Sequence, residues 1–269
     1  MAAVGLSDFE AIRPLLTYRP LGLFSDIDGT LAPIVPRPDE AEVTPRCRRL
    51  LQSLIDHGSK VALVTGRTLK TARAMAGLDS AAYAASHGLE VWVDGRYENT
   101  HDLEEYPRHV DQIMREARGL DDEGVNVEVK GAGVAFHYRG APDEEKARSA
   151  IMGVVEASAT AQRFSLTEGR KVIELRPRTT VNKGTAVRHL AQRLDVKALV
   201  CLGDDLTDVD MFEAARGLAA SGLPSANIAV RSNETAEELV AAADYIVDGV
   251  GGVEWFLAEL VRAVGGTSP

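Results

Sequence analysis

Residues 21–30 read Leu-Gly-Leu-Phe-Ser-Asp-Ile-Asp-Gly-Thr. The apolar run Leu21–Ser25 breaks off into two carboxylates, Asp26 and Asp28, and then Gly29. A short continuous apolar run bounded by polar residues reads as a buried strand. An Asp-Gly pair at its end permits a tight backbone turn. Working outward, Pro33, Pro36 and Pro38 keep the next stretch out of a helix. Thr44-Pro45 then makes a helix start, with Thr as N-cap and Pro in the first turn. Leu50, Leu51, Leu54 and Ile55 continue it at helical spacing, and Gly58 stops it. Lys60–Val64 is the next strand, Leu69–Ala76 the next helix and Tyr83–Ser86 a third strand. Strands alternating with helices imply right-handed crossovers and a parallel sheet.

The same alternation resumes after residue 180. Helices are expected over 183–194, 207–215 and 253–261, with strands over 198–202, 227–231 and 245–247. The middle differs. Helices over 107–118 and 142–156 accompany strands over 125–130, 134–138, 164–166 and 171–175, with hairpin signals at Gly131-Ala-Gly133 and Glu168-Gly169. That pattern predicts an antiparallel sheet with helices on one face. The fold class is therefore α/β: a doubly wound, Rossmann-like parallel sheet over 1–103 and 179–269, carrying an inserted α/β domain over 104–178. Phe9, Ile12, Leu15 and Leu16 predict a short N-terminal helix packed on the core.

Composition bounds the function. The 269 residues are 45% hydrophobic and 26% charged, which excludes a disordered or fibrous chain. A net charge of −10 argues against a nucleic-acid or anionic-membrane partner. Two cysteines, Cys47 and Cys201, are too few for a disulfide framework or a cysteine-built zinc site. Neither a signal peptide nor an apolar run long enough to span a membrane is present, so the expected compartment is the cytoplasm.

In open parallel sheets, ligands bind at the carboxyl ends of the strands. Four features fall there. Asp26-x-Asp28-Gly-Thr30 follows the first strand and Thr65-Gly-Arg67 the second, while Asn182-Lys183-Gly184 opens a helix and Gly203-Asp204-Asp205-x-x-Asp208 follows a later strand. Taken singly each has a plain structural reading, as a surface turn, a helix cap or a solvated lysine. Together they place carboxylates, a hydroxyl, backbone N–H groups and an ammonium in one region. Several acids converging would repel one another without a cation, and carboxylate oxygens suit a hard cation such as Mg²⁺.

These four features resemble, in order and placement, the motifs of the haloacid dehalogenase-like phosphatase superfamily. The resemblance implies that Asp26 is a nucleophile forming an aspartyl-phosphate and that Asp28 is the general acid and then base. It implies that Thr65 and Lys183 hold the phosphate, with Arg67 beside the substrate. It implies a Mg²⁺ ion on Asp26, the Asp28 carbonyl and Asp204, supported by Asp205 and Asp208.

The insert lies where that superfamily carries its α/β cap. Within the group, the chain resembles trehalose-6-phosphate phosphatases at Ser86-His-Gly-Leu-Glu90, Val127–Lys130, Ala135–Arg139, Val172–Pro177 and Gly203–Asp208. That resemblance implies sugar contacts from Glu128, Lys130, Arg170 and Glu174. Lysine is usual where Arg170 stands, and the adjacent Lys171 is its alternative. The expectation is a Mg²⁺-dependent hydrolase converting trehalose 6-phosphate to trehalose and phosphate, the last step of trehalose biosynthesis. It is expected to be a freestanding, monomeric enzyme whose partner is the small sugar phosphate. A phosphatase for glucosylglycerol phosphate or mannosyl-3-phosphoglycerate would share the chemistry and differ in the insert. A glycosyltransferase could use Asp-x-Asp, but it would leave Thr65, Lys183 and the second acid cluster without a task. A non-catalytic module of the same fold would be expected to have lost Asp26 or Asp28.

Overall fold

The computed structural model describes residues 3–6, 8–37, 40–99, 106–130, 132–169, 171–233 and 235–265, without the side chains of Asn99 and Lys130. Its strands and α-helices run β1 (Val4–Gly5), β2 (Leu21–Ser25), α1 (Pro45–Asp56), β3 (Lys60–Val64), α2 (Leu69–Ala76), β4 (Ala82–Ala85), β5 (Glu90–Val93), β6 (Arg96–Asn99), α3 (Tyr106–Glu116), β7 (Asn126–Lys130), β8 (Gly133–His137), α4 (Glu144–Ala157), β9 (Phe164–Gly169), β10 (Val172–Pro177), α5 (Lys183–Arg193), β11 (Ala198–Gly203), α6 (Asp208–Ala220), β12 (Ser225–Arg231), α7 (Glu237–Ala242), β13 (Tyr245–Asp248) and α8 (Gly249–Val264). The chain divides into two compact units, residues 1–98 with 181–269 and residues 99–180.

The larger unit is built on a nine-stranded sheet in the order β1-β13-β12-β11-β2-β3-β4-β5-β6. Pairing is parallel from β1 across to β4, and β5 turns antiparallel against β4. Strands covered on both faces read as unbroken apolar runs, and every residue of β2 and β11 is buried. One face is packed by α1, α2 and α8, through Leu51, Leu54, Ala72, Phe256 and Leu260. The other is packed by α5, α6 and α7, through Val187, Leu190, Phe212 and Leu239. Thr44 caps α1 by accepting from the Cys47 N–H at 3.1 Å, and Thr68 caps α2 by accepting from Thr71 N–H at 3.3 Å. Helix α2 thereby starts a few residues after β3 ends, whereas α1 starts only after the irregular stretch that follows β2.

Several elements depart from the sequence expectation. The N-terminal helix is a pair of 3-10 turns, Phe9–Ala11 and Arg13–Thr17. Pro14 has no N–H to complete an α-helical turn, so the chain bonds at the shorter interval, with Leu15 N–H donating to Ile12 O at 3.0 Å. Helix α6 continues to Ala220 through Gly217, and α8 runs from Gly249 to Val264, so both outrun the expected 207–215 and 253–261. The β5–β6 hairpin, α7 and the two-residue β1 carry too little periodicity to be read in advance.

The smaller unit has an antiparallel sheet in the order β7-β8-β10-β9. Phe136, Ile173, Val134 and Leu175 pack with Val110 and Ile113 of α3 and Ile151 and Val155 of α4 in one core. Register places Glu128 and Glu174 on either side of Ala135, so the two carboxylates belong to one row on the sheet face opposite that core.

Candidate active site

The buried strands β2, β3 and β11 end side by side, and each hands on a polar residue. Asp26 follows β2, and its N–H donates to Leu202 O at 2.9 Å. Thr65 follows β3, and its N–H donates to Ala84 O at 2.9 Å. Asp204 follows β11, and Lys183 opens α5 behind the Asn182 cap. The order of strands in the sheet thus gathers residues distant in sequence. Lys183 is only 2% exposed and its Nζ stands 2.7 Å from Asp208 Oδ1, 3.1 Å from Asp26 Oδ1 and 4.0 Å from Asp205 Oδ1.

The second acid cluster is organised by Asp208, which is fully buried. Its Oδ1 accepts from Lys183, and its Oδ2 accepts from the N–H groups of Asp204 and Asp205 at 3.0 and 3.1 Å. Both Asp208 oxygens are therefore engaged within the protein. Asp205 accepts from the N–H and hydroxyl of Thr207 at 2.8 and 2.6 Å. Asp204 takes one bond from the Thr30 hydroxyl at 3.2 Å. Asp204 also depends on a glycine. A Cβ at Gly29, whose φ is +79°, would lie 1.9 Å from Asp204 Oδ2.

Electrostatics follow from this crowding. Burial pushes Asp26 well above the usual carboxylate range, Lys183 opposes that rise, and Asp208, Asp204 and Asp205 add to it. Burial, then Asp208 and Asp205, push Asp204 up to about 7. Burial alone would lower Lys183, but Asp208 and Asp26 outweigh it and hold the ammonium charged. Asp205 lies below its ordinary value, since burial is outweighed by Lys183 and by the Thr207 bonds. Oxygens of Asp26, Asp204 and Asp208 all lie within 4.8 Å of one another. One lysine cannot neutralise four carboxylates, and an all-oxygen donor set fits a hard divalent cation. Asp208 is occupied by Lys183 and two N–H groups, whereas Asp204 takes one bond, from Thr30.

Arg67 does not stand alone at these strand ends. Its Nε and a terminal nitrogen donate to the two oxygens of Asp28 at 2.8 and 2.6 Å, a bidentate pair. Arg67 N–H donates to Thr65 Oγ1 at 3.2 Å.

In the smaller unit, Glu128 pairs with His137 at 3.0 Å, and Glu174 accepts from Arg176 at 2.9 Å. Sequence reasoning left both partners unassigned. Their signal was alternation: His137 and Arg176 sit two register positions from Ala135 and Glu174, on the same sheet face. Lys171 is engaged by Glu144 at 2.6 Å, and Arg170 and the Lys130 side chain lie outside the described residues.

The sequence pattern of the trehalose-phosphatase family matches residues 24–245, from β2 to the start of β13. The chain belongs to this family. A trehalose-phosphate phosphatase of Mycobacterium leprae is 35% identical over 94% of this chain and 60% of its own length. The chain therefore spans about 60% of that relative. The trehalose-6-phosphate phosphatase of Aspergillus fumigatus matches with a TM-score of 0.64 at 26% identity, covering 97% of this chain and 99% of that one. The C-terminal domain of the Candida albicans trehalose-6-phosphate phosphatase shares the fold, with a TM-score of 0.71 at 23% identity over 97% and 99% of the two chains. The family's matched span takes in all four strand-end features, Asp26-x-Asp28, Thr65, Lys183 and Asp204-Asp205.

Proposed function

We propose that the chain hydrolyses trehalose 6-phosphate to trehalose and phosphate, with a bound Mg²⁺ and an aspartyl-phosphate intermediate, as the last step of trehalose biosynthesis. The observation that carries this reading is the buried Lys183 set between Asp26 and Asp208 at the ends of β2 and β11. A carboxylate and an ammonium shielded from water can meet a phosphate dianion there.

Asp26 and Asp204, with the Asp28 carbonyl, would hold the cation, which when bound supplies positive charge against the phosphate oxygens. Lys183 adds a second positive charge, and Thr65 offers its hydroxyl proton to a phosphate oxygen. An Asp26 oxygen attacks phosphorus while the phosphorus–oxygen bond to the sugar breaks. The bond pair passes to the sugar oxygen, which takes a proton from Asp28. Water then attacks the phosphorus of the aspartyl-phosphate, Asp28 accepts the water proton, and Asp26 departs as a carboxylate. Asp205 and Asp208 fix Lys183 and the 204–205 backbone. In this reading the smaller unit is the cap that selects the sugar, through Glu128, Lys130, Arg170 and Glu174. The substrate is a small soluble phosphate ester, and the reaction belongs in the cytoplasm.

The test is phosphate release, with Mg²⁺ or with EDTA, from a panel of sugar phosphates. A strong preference for trehalose 6-phosphate over glucose 6-phosphate, abolished by EDTA, is the expected result. Preference for glucosylglycerol phosphate or mannosyl-3-phosphoglycerate would reassign the substrate. No release from any ester would remove the nucleophile role of Asp26.

A further inference from the structure

After β4 the chain passes through three consecutive left-handed residues: Ser86 at φ 49°, His87 at φ 57° and Gly88 at φ 100°. Gly88 adopts this freely, but Ser86 and His87 carry a steric cost there, because Cβ crowds the following carbonyl oxygen. Such a segment persists only where its surroundings over-determine it. Here two backbone bonds tie it to the loop after β3. Ser86 N–H donates to Arg67 O at 2.7 Å, and His87 N–H donates to Thr65 O at 2.9 Å. The His87 ring also packs on Gly66, with its Nε2 2.7 Å from where a Cβ would stand.

Glu90 holds both ends of this arrangement. Its Oε1 accepts from the Ser86 hydroxyl at 2.7 Å, and its Oε2 accepts from Leu69 N–H at 3.0 Å. Leu69 is the first residue of α2, so the carboxylate also meets the positive end of the helix dipole. The loop from Thr65 to Leu69 is thus anchored at Thr65 and Arg67 by a segment that Glu90 grips, and at Leu69 by Glu90 itself. Arg67 lies between those anchors and ends in the bidentate pair with Asp28.

We propose that Glu90 is a positioning residue: it fixes the 65–69 loop so that Arg67 aims the Asp28 carboxylate at the leaving oxygen. This rests on the reading of Asp28 as proton donor and acceptor. A cap that merely stabilised α2 would depress turnover of every substrate alike. A group that aims the acid matters most where the leaving oxygen needs a proton. A sugar alkoxide does; p-nitrophenolate does not. Because kcat/KM reports steps up to the first irreversible cleavage, it isolates the acid role from the later attack by water.

The experiment compares kcat/KM for trehalose 6-phosphate and p-nitrophenyl phosphate in the full chain with Mg²⁺, for the wild type, E90A, E90Q and S86A. E90A is expected to lower the sugar phosphate value by roughly 10–100-fold and the aryl phosphate value by less than about threefold, since general acid catalysis contributes 10²–10⁴ and its donor remains present but misaimed. E90Q should fall between, because its amide oxygen can keep one of the two bonds. S86A removes one arm while leaving Glu90 and the α2 cap, and should shift the ratio in the same sense. Equal losses on both esters, or values unchanged from the wild type, would overturn the inference while leaving the phosphatase reading intact. If E90A does not fold, E90Q and S86A carry the same comparison. A wild-type chain that releases phosphate from neither ester would overturn the reading of Asp28 and the inference with it.

Discussion

Replacing Gly29 by alanine tests the proposed cation pocket without removing a charge. The new Cβ would stand 1.9 Å from Asp204 Oδ2 and 2.3 Å from its Cγ. Ordinary contact begins near 3.4 Å, so the carboxylate must retreat by roughly 1.5 Å. Mg²⁺ demands ligands at about 2.0–2.1 Å in a strict octahedron, so that retreat takes Asp204 out of reach. The backbone adds strain, because a non-glycine residue at φ +79° costs about 1–2 kcal/mol. Gly58→Ala separates the two effects, since Gly58 has φ +84° and nothing within 4 Å of its Cβ position. In urea unfolding with EDTA present, Gly58→Ala should lose about 1–2 kcal/mol, and Gly29→Ala, which adds the displacement of Asp204, at least that much. Only Gly29→Ala should lose the rise in Tm on adding Mg²⁺, with phosphate release down about 100-fold or more, comparable to removing one transition-state contact. A Gly29→Ala protein that bound Mg²⁺ as tightly as the wild type by calorimetry would refute the assignment of Asp204 to the cation.

Further outcomes follow from the same geometry. Lys183→Met leaves Asp26 and Asp208 buried without their partner, so chemical denaturation should show a loss of about 3–5 kcal/mol and phosphate release should cease. A loss below about 1 kcal/mol would mean that the two acids shed their charge at little cost. Asp204, raised from 3.8 to about 7, binds its proton more tightly folded than unfolded. Its contribution is therefore full below the unfolded value and is lost as pH rises toward 7, so the metal-free protein should lose stability across that window. Mg²⁺ competes with that proton, so the Tm gain from Mg²⁺ should grow between pH 5 and 8; a gain independent of pH would contradict it. Glu174→Ala should raise KM for trehalose 6-phosphate far more than for p-nitrophenyl phosphate, and equal changes would take Glu174 out of sugar recognition.

The parallel sheet was legible because its strands are buried on both faces. Leu21–Ser25, Val61–Val64 and Ala198–Gly203 are nearly continuous apolar runs, and each is followed by a polar residue, Asp26, Thr65 or Asp204. Helix α2 could be bounded to the residue because Thr68 caps it and Gly77 ends it in the left-handed conformation. Edge elements were not legible, because β1 is exposed and the β5–β6 hairpin carries mixed polarity. In the site, the residue types and their strand-end placement could be read, but their mutual bonding could not. Nothing in the sequence says that Asp208 spends both oxygens on Lys183 and two N–H groups, or that Arg67 turns to Asp28. Such choices depend on side-chain directions across strands that lie far apart in the chain. Gly29 is a similar case: its turn is local, but the reason no side chain fits is Asp204.

Strand β2 lies between β3, its near neighbour in sequence, and β11, which is made only after the whole of residues 99–180. During synthesis, β2 to β4 can pair while the other edge of β2, Leu21 to Ser25, waits with its N–H and C=O groups open. At about 5–20 residues per second that wait lasts on the order of ten seconds. An apolar strand edge left bare for so long invites pairing with another nascent chain. This topology therefore leaves that edge uncovered until β11 has been made. The same edge that later brings Asp204 to Asp26 is where aggregation would start on a crowded polysome.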